Sequence, residues 1–158
     1  MTLTTGLTVA HEGSALEKLA INTIRTLCMD AVQAANSGHP GSPMGMAPTA
    51  YVLWQRFLRF DPDDPIWGNR DRFVLSKGHS SIGLYAAMAL RGYFPVEELL
   101  TFDGANSRLQ GHPDMSRLPG LDMSTGSLGM GISAAMGMAL GARLTGRFDL
   151  LHEFRSPA

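Results

Sequence analysis

Three of the five histidines in the sequence directly follow a glycine. They are His39 in SGHPGSP, His79 in SKGHSS and His112 in LQGHPD. An imidazole exchanges protons near neutral pH, and a neighbouring glycine leaves room for a ligand to approach. Each histidine alone could be a turn residue, a helix cap or a hydrogen-bonding loop residue. Three together favour acid–base chemistry on a bound ligand.

The spacing of these histidines gives no support for a zinc site, because they are 40 and 33 residues apart without any H-x-x-x-H or C-x-x-C pair. The glycines of TGSLGMG, residues 125–131, resemble a dinucleotide fingerprint only loosely, since their spacing is reversed and no strong strand precedes them. They do allow backbone amides to approach a ligand just before a helix, whose amino end attracts negative charge. An anionic or phosphorylated ligand is therefore expected.

Length and composition indicate one globular domain: 158 residues, of which 44% are apolar and 17% charged. The net charge of -1 and the lack of a basic run argue against a nucleic-acid partner.

The apolar stretch 129–142 is shorter than the about 20 residues that are needed to cross a membrane. A closely packed helix, in which methionines fill gaps, is expected there instead. No signal-peptide pattern begins the chain, and the single Cys28 is expected to be an inert buried thiol, which favours the cytoplasm.

Local patterns predict mostly helices. Ser14 and Glu17 form a capping-box pattern before a helix that should end near residues 36–38, and Pro48 suits the first turn of the next helix. Residues 72–76 are a short run typical of a strand, which would place His79 at the carboxyl end of that strand, before a helix over 80–92. The remaining predictions are a short helix over 95–102, a loop over 103–127 without periodicity, and a helix over 129–144.

Four longer motifs occur in an order that resembles one known family. They are ANSGHPGSPMGMAP, DRFVLSKGHSSIGLYAAMALRGYF, LQGHPD and STGSLGMGISAAMGMALGARLTG. From about Leu16 to Gly146 the chain is similar to the amino-terminal, diphosphate-binding part of transketolases, including versions in which this part is a separate subunit. The fold class that the resemblance implies is α/β: an incomplete thiamine diphosphate-binding fold, with a parallel sheet flanked by helices and mostly helical in the part present.

The resemblance also implies an activity, in which thiamine diphosphate transfers a two-carbon ketol unit from a ketose phosphate to an aldose phosphate. Matched motif by motif, His79 would contact the cofactor diphosphate, and Gly126 and Leu128 would contact the cofactor. His112 would hydrogen-bond the donor sugar, and His39 would assist proton transfer on substrate hydroxyls. A related substrate range, as in dihydroxyacetone synthase or deoxyxylulose phosphate synthase, is an alternative, although SGHPG with GHPD favours transketolase over the latter.

The sequence departs from the family pattern in its last part. The Gly-Asp-Gly turn and the later asparagine that bind Mg²⁺ in the family are absent, so no metal ligand is assigned. We therefore expect a flexible arm over 1–13, a partial thiamine diphosphate-binding domain over 14–146, and a divergent tail over 147–158 that ends by truncation or frameshift. Such a fragment would be inactive alone. It would need a C-terminal half or a pyrimidine-binding subunit, within a homo- or hetero-oligomer.

A different class of function stays open beside the enzyme. The chain could be a non-catalytic product that is inert or that pairs with full-length subunits. The missing metal-binding turn motivates this alternative.

Overall fold

The computed structural model describes residues 14–146, so the predicted arm over 1–13 and the predicted tail over 147–158 lie outside the described residues. Within that range the chain forms four α-helices joined by turns and short helical segments. The α-helices are α1 (Ala15–Ala35), α2 (Gly41–Val52), α3 (Ser81–Leu90) and α4 (Met130–Leu144). A π-helical turn follows α2 at Leu53–Phe57, and 3₁₀ turns occupy Gly78–Ser80 and Val96–Thr101.

Helix α1 begins and ends as the sequence predicts. The Ser14 hydroxyl accepts a hydrogen bond from the Glu17 amide at 3.2 Å, and the Glu17 carboxylate accepts one from the Ser14 amide at 2.8 Å. At the other end Asn36 has a left-handed φ of 49°, which stops the helix. The buried face includes Cys28, and burial raises the pKa of its thiol to about 12. The prediction that Cys28 is buried is confirmed, and the raised pKa favours the unreactive thiol form.

Helix α2 begins earlier than the position of Pro48 predicts. Its first residue is Gly41, and Pro48 lies inside the helix rather than in its first turn. A proline lacks the amide that would bond to the carbonyl four residues before it, here Met44. The Arg25 guanidinium of α1 donates to that carbonyl instead, at 3.3 Å, so a contact between helices supplies the bond that the backbone lacks.

Helix α3 is the most deeply buried element, since every residue from Ser81 to Ala89 is buried. It packs against α1, α2 and the Val96–Thr101 turn. Most of its residues are small or aliphatic on every side of the helix, which is typical of a helix enclosed by the protein. The core of the described chain therefore surrounds α3, and the polar groups on α3 must find partners inside the protein.

The expected strand over 72–76 does not form, and residues 14–146 contain no β-strand. Side chains from a distant segment occupy backbone groups that a neighbouring strand would otherwise bind. The Asp122 carboxylate accepts from the Phe73 amide at 2.9 Å, and the Thr125 hydroxyl donates to the Leu75 carbonyl at 2.7 Å. The described part is mostly helical, as predicted, whereas the parallel sheet remains a prediction.

Helix α4 forms where the sequence predicts it but lies largely on the surface. It is anchored at Gly131, where a Cβ atom would come within 2.5 Å of the Ser76 Cα. Met136 is 68% exposed, so the expectation that this methionine fills a gap between helices is wrong within residues 14–146. A groove of about 1230 Å³ separates part of α4 from residues 68–74. No helix of the described chain is both long and apolar enough to span a bilayer.

A buried ion pair links residues 68–74 to the loop before α4. The Arg70 guanidinium makes two contacts with the Asp122 carboxylate, at 2.7 and 2.9 Å, and the two side chains are only 7% and 6% exposed. Removing one partner of a buried pair leaves a charge without compensation.

We expect Asp122→Ala to lower the free energy of unfolding by about 3–5 kcal/mol. The variant leaves the buried Arg70 charge without its carboxylate partner and removes the hydrogen bond of the Phe73 amide. Urea denaturation measures this change. As a control, Arg56→Ala breaks a more exposed pair with Glu17 and should cost less than about 1 kcal/mol. Equal losses for the two variants would contradict the assigned role of the buried pair.

Candidate functional site

The His39 side chain lies in the short connection between α1 and α2, where the chain makes a sharp turn. Gly38 has a φ of 119°, which a residue with a side chain rarely adopts. A Cβ atom on Gly38 would also come within 3.0 Å of the Phe102 ring, so the glycine lets this connection lie close to the core. The His39 imidazole is exposed, and its ring centre is 5.1 Å from that of His79.

His79 lies in the 3₁₀ turn that leads into α3. A Cβ atom on the preceding Gly78 would come within 2.7 Å of the Thr125 carbonyl oxygen, so this turn packs directly against the loop before α4. The next residue, Ser80, is buried and donates from its hydroxyl to the Ser42 hydroxyl at 2.8 Å. These contacts fix the His79 turn to the loop before α4 on one side and to α2 on the other.

His112 lies in the long segment 103–127, which contains turns but no regular helix or strand, as the sequence predicts. The buried helix α3 holds this segment in place. The Ser81 hydroxyl donates to the Gly111 carbonyl at 2.8 Å, and the Tyr85 hydroxyl donates to the Gln110 carbonyl at 3.0 Å. His112 is exposed, and a Cβ atom on Gly126 would lie 3.9 Å from its Cδ2 atom.

His39 and His112 both lie near enough to His79 to affect its pKa. Loss of hydration lowers the pKa of His79 below its ordinary value, and the nearby His39, Lys77 and His112 lower it further. The neutral imidazole of His79 is thus favoured at neutral pH, with one ring nitrogen able to donate a hydrogen bond and the other able to accept one. Residues that are 40 and 33 positions apart in sequence therefore form one cluster of imidazoles.

The other two predicted site residues lie between this cluster and α4. Gly126 is partly buried beside His112, whereas Leu128 is 73% exposed. Gly129 caps the helix with a φ of 85°, and nothing lies within 4 Å of where its Cβ would be. The backbone of this segment is therefore accessible at the amino end of α4, and that end of the helix carries partial positive charge. Residues 14–146 contain no group of three histidine, cysteine or acidic side chains that could hold a metal ion.

Sequence reasoning missed the residues that hold the histidine loops in place. Ser81 and Tyr85 look like ordinary helix residues, and only the burial of α3 shows that their hydroxyls must bind loop carbonyls. Asp103 was also missed, although its carboxylate contacts two of the loops. The sequence signal for Asp103 was its position, since it is an acidic residue at the start of a long aperiodic segment.

Most of the chain matches one family of known proteins. A family model described as the transketolase thiamine diphosphate-binding domain matches residues 16–149. The chain belongs to the transketolase family. This confirms the resemblance seen in the four motifs, and the matched domain of the family binds thiamine diphosphate.

Individual transketolases are similar to the chain over most of its length. Transketolase from Halalkalibacterium halodurans is 51% identical over 129 residues, which are 81% of this chain and 19% of that protein. Transketolase 2 from Escherichia coli is 53% identical over 123 residues, covering 77% of this chain and 18% of that protein. The crystal structure of Pichia stipitis transketolase with sedoheptulose 7-phosphate superposes with a TM-score of 0.77 at 48% identity, covering 80% and 19%. The chain therefore spans about a fifth of the length of these relatives.

The lowered pKa of His79 predicts a pH dependence of stability. In the unfolded chain this histidine binds a proton near its ordinary pKa of 6.5, whereas the folded chain binds it only at lower pH. The unfolded state therefore gains protons first as the pH falls below that value, and stability is lost. Replacing His79 by glutamine should reduce the loss of melting temperature between about pH 7.5 and about pH 5.5. Thermal unfolding of both proteins at both pH values measures this, and an equal loss would contradict the assigned environment of His79.

Proposed function

We propose that this chain contributes part of a site at which thiamine diphosphate transfers a two-carbon ketol unit from a ketose phosphate to an aldose phosphate. The observation that carries the proposal is the convergence of three histidine loops beside the amino end of α4, in a chain of the transketolase family. The relatives bear the name of that activity. A neutral imidazole and a helix amino end are suited to bind a diphosphate.

The described residues fit the diphosphate end of the cofactor. Space at Gly129 and the amino end of α4 leave room for an anion. We assign His79 to donate a hydrogen bond to it, because the turn that carries His79 packs against Thr125 and Gly126, just before that helix. Gly126 would let the backbone approach the cofactor, and Leu128 would offer it an exposed apolar surface. When bound, thiamine diphosphate supplies the nucleophilic carbon and the electron sink for breaking the carbon–carbon bond next to the ketose carbonyl.

The two exposed histidines would act on the sugar. We assign His112 to hydrogen bonds with hydroxyls of the donor sugar, and His39 to proton transfer at a substrate hydroxyl. Their exposure leaves both rings accessible to a substrate, and the His39 ring lies 5.1 Å from that of His79. The substrate class is sugar phosphates, by analogy with the Pichia stipitis enzyme, whose structures contain sedoheptulose 7-phosphate and fructose 6-phosphate.

Further parts of the site are proposed to come from outside residues 14–146. Mg²⁺ prefers oxygen ligands in an octahedral arrangement, and we propose that another part of the assembly supplies them. Because the relatives are about five times as long, we also propose that the chain is inactive alone. It would work with a C-terminal half or pyrimidine-binding subunit in a homo- or hetero-oligomer. A cytoplasmic location stays a prediction.

The surface of α4 favours the second candidate, a non-catalytic chain that pairs with longer subunits. Four large apolar residues spaced four apart are between 57% and 77% exposed: Ile132, Met136, Leu140 and Leu144. Such a stripe on one helix is typical of a face that packs against another chain. This candidate predicts association without transfer activity, so an activity measurement separates it from the first.

A chimera tests the proposed enzyme function. Residues 16–144 of this chain would replace the matching segment of Geobacillus stearothermophilus transketolase, which is 50% identical over 129 residues. The proposal predicts transfer from a ketose phosphate. His112→Ala in the chimera should lower kcat/KM by about tenfold, because a hydrogen bond to the substrate worth about 1.5 kcal/mol is lost.

Met115→Ala is the matched control, because Met115 is an exposed residue of the same loop and its side chain has no assigned role. It should leave kcat/KM unchanged. A folded chimera that binds Mg²⁺ and cofactor but transfers no ketol unit would overturn the proposal. Full activity of the His112→Ala chimera would remove His112 from the site.

A further inference from the structure

Asp103 has an unusual backbone conformation at a position between two of the histidine loops. Its φ of 58° lies in the left-handed region, which few residues other than glycine adopt, although aspartate tolerates it better than most. Its amide donates to the Leu109 carbonyl at 2.9 Å, which fixes this conformation. A conformation that costs free energy persists only where surrounding contacts determine it, and it is often found where a side chain is held for a purpose.

The Asp103 carboxylate accepts hydrogen bonds from both loops. One oxygen accepts from the Ser37 hydroxyl at 2.8 Å, and the other accepts from the Gly111 amide at 3.1 Å. Ser37 is two residues before His39, and Gly111 directly precedes His112. A Cβ atom on Gly111 would come within 2.9 Å of the carboxylate, so the glycine is what allows this close approach.

The two loops are held differently apart from this carboxylate. The Gly111 carbonyl is already bound to Ser81 of the buried helix α3, so the His112 loop has a rigid attachment to the core. The Ser37 hydroxyl, in the loop that carries His39, donates to the carboxylate of Asp103, which is 66 residues away in sequence. The carboxylate therefore connects the His39 loop to the loop that α3 holds.

We propose that Asp103 is a positioning residue that sets the His39 loop relative to the His112 loop. Asp103 does not contact the substrate in this account; it acts through Ser37 and Gly111. The catalytic meaning of the two histidines rests on the proposed function, but the connection between their loops does not.

The test is the order of the histidine rings in the full chain, measured by carbon-13 relaxation of the imidazole groups. Asp103→Gly removes the carboxylate and also relieves the left-handed strain at this position. If Asp103 only stabilised the fold, the histidine rings would stay ordered in this variant. The proposal predicts that the order parameter of the His39 ring falls to below about 0.6, whereas the His112 ring keeps its order because α3 still holds its loop. The matched control, Asp61→Gly, removes a carboxylate bonded within its own turn and should change neither ring.

Two variants of Ser37 test the connection without altering Asp103. Ser37→Ala should loosen the His39 ring and leave the His112 ring ordered, because the bond between Asp103 and Gly111 remains. Ser37→Thr keeps the hydroxyl and should behave as the unaltered chain does. Ordered His39 rings in both Asp103→Gly and Ser37→Ala would overturn the proposal; if Asp103→Gly does not fold, Ser37→Ala alone decides it.

The measurement uses no cofactor or substrate, which separates it from the proposed function. A chimera without transfer activity would overturn the assigned reaction while the ring-order result stood. Conversely, an active chimera with unchanged ring order in these variants would overturn only the role of Asp103.

Discussion

The described structure depends on the burial of α3, which is complete from Ser81 to Ala89. This buried stretch cannot leave its polar side chains without partners, because an unpaired buried hydroxyl costs about 1–3 kcal/mol. The hydroxyls of Ser81 and Tyr85 meet this requirement by donating to carbonyls of the segment that carries His112. Ser80, just before the helix, donates to the Ser42 hydroxyl of α2. Burial of one apolar helix therefore fixes loops that have no regular structure of their own.

This arrangement explains how a chain with little local patterning around its histidines can form a site. His79 is attached to α3 directly, His112 through hydrogen bonds from α3, and His39 through Ser37 and Asp103. The glycine before each histidine leaves room for a close neighbour, which is the Phe102 ring at Gly38, the Thr125 backbone at Gly78 and the Asp103 carboxylate at Gly111. The resulting cluster favours the neutral form of His79. It lies beside the loop before α4, whose backbone is accessible at Gly129.

Local features were predictable from the sequence, and features that need a distant partner were not. The capping box at Ser14 involves residues three apart, so the pattern alone identified where α1 begins. The start of α2 was misplaced because Arg25, on another helix, binds the carbonyl that Pro48 leaves free. Residues 72–76 were expected to be a strand, but their backbone groups bind side chains about 50 residues away. The three histidines were identified from their glycine neighbours, whereas Asp103 required the fold.

The central claim is that α3 and its contacts bring three separate loops together into one cluster of imidazoles. Nuclear Overhauser measurements on the chain with labelled histidines test this most directly, because they report distances between ring protons without any ligand. The account predicts a cross-peak between the His39 and His79 rings, whose centres are 5.1 Å apart. Its absence in a folded protein with sharp histidine signals would show that the loops do not meet and would contradict the account.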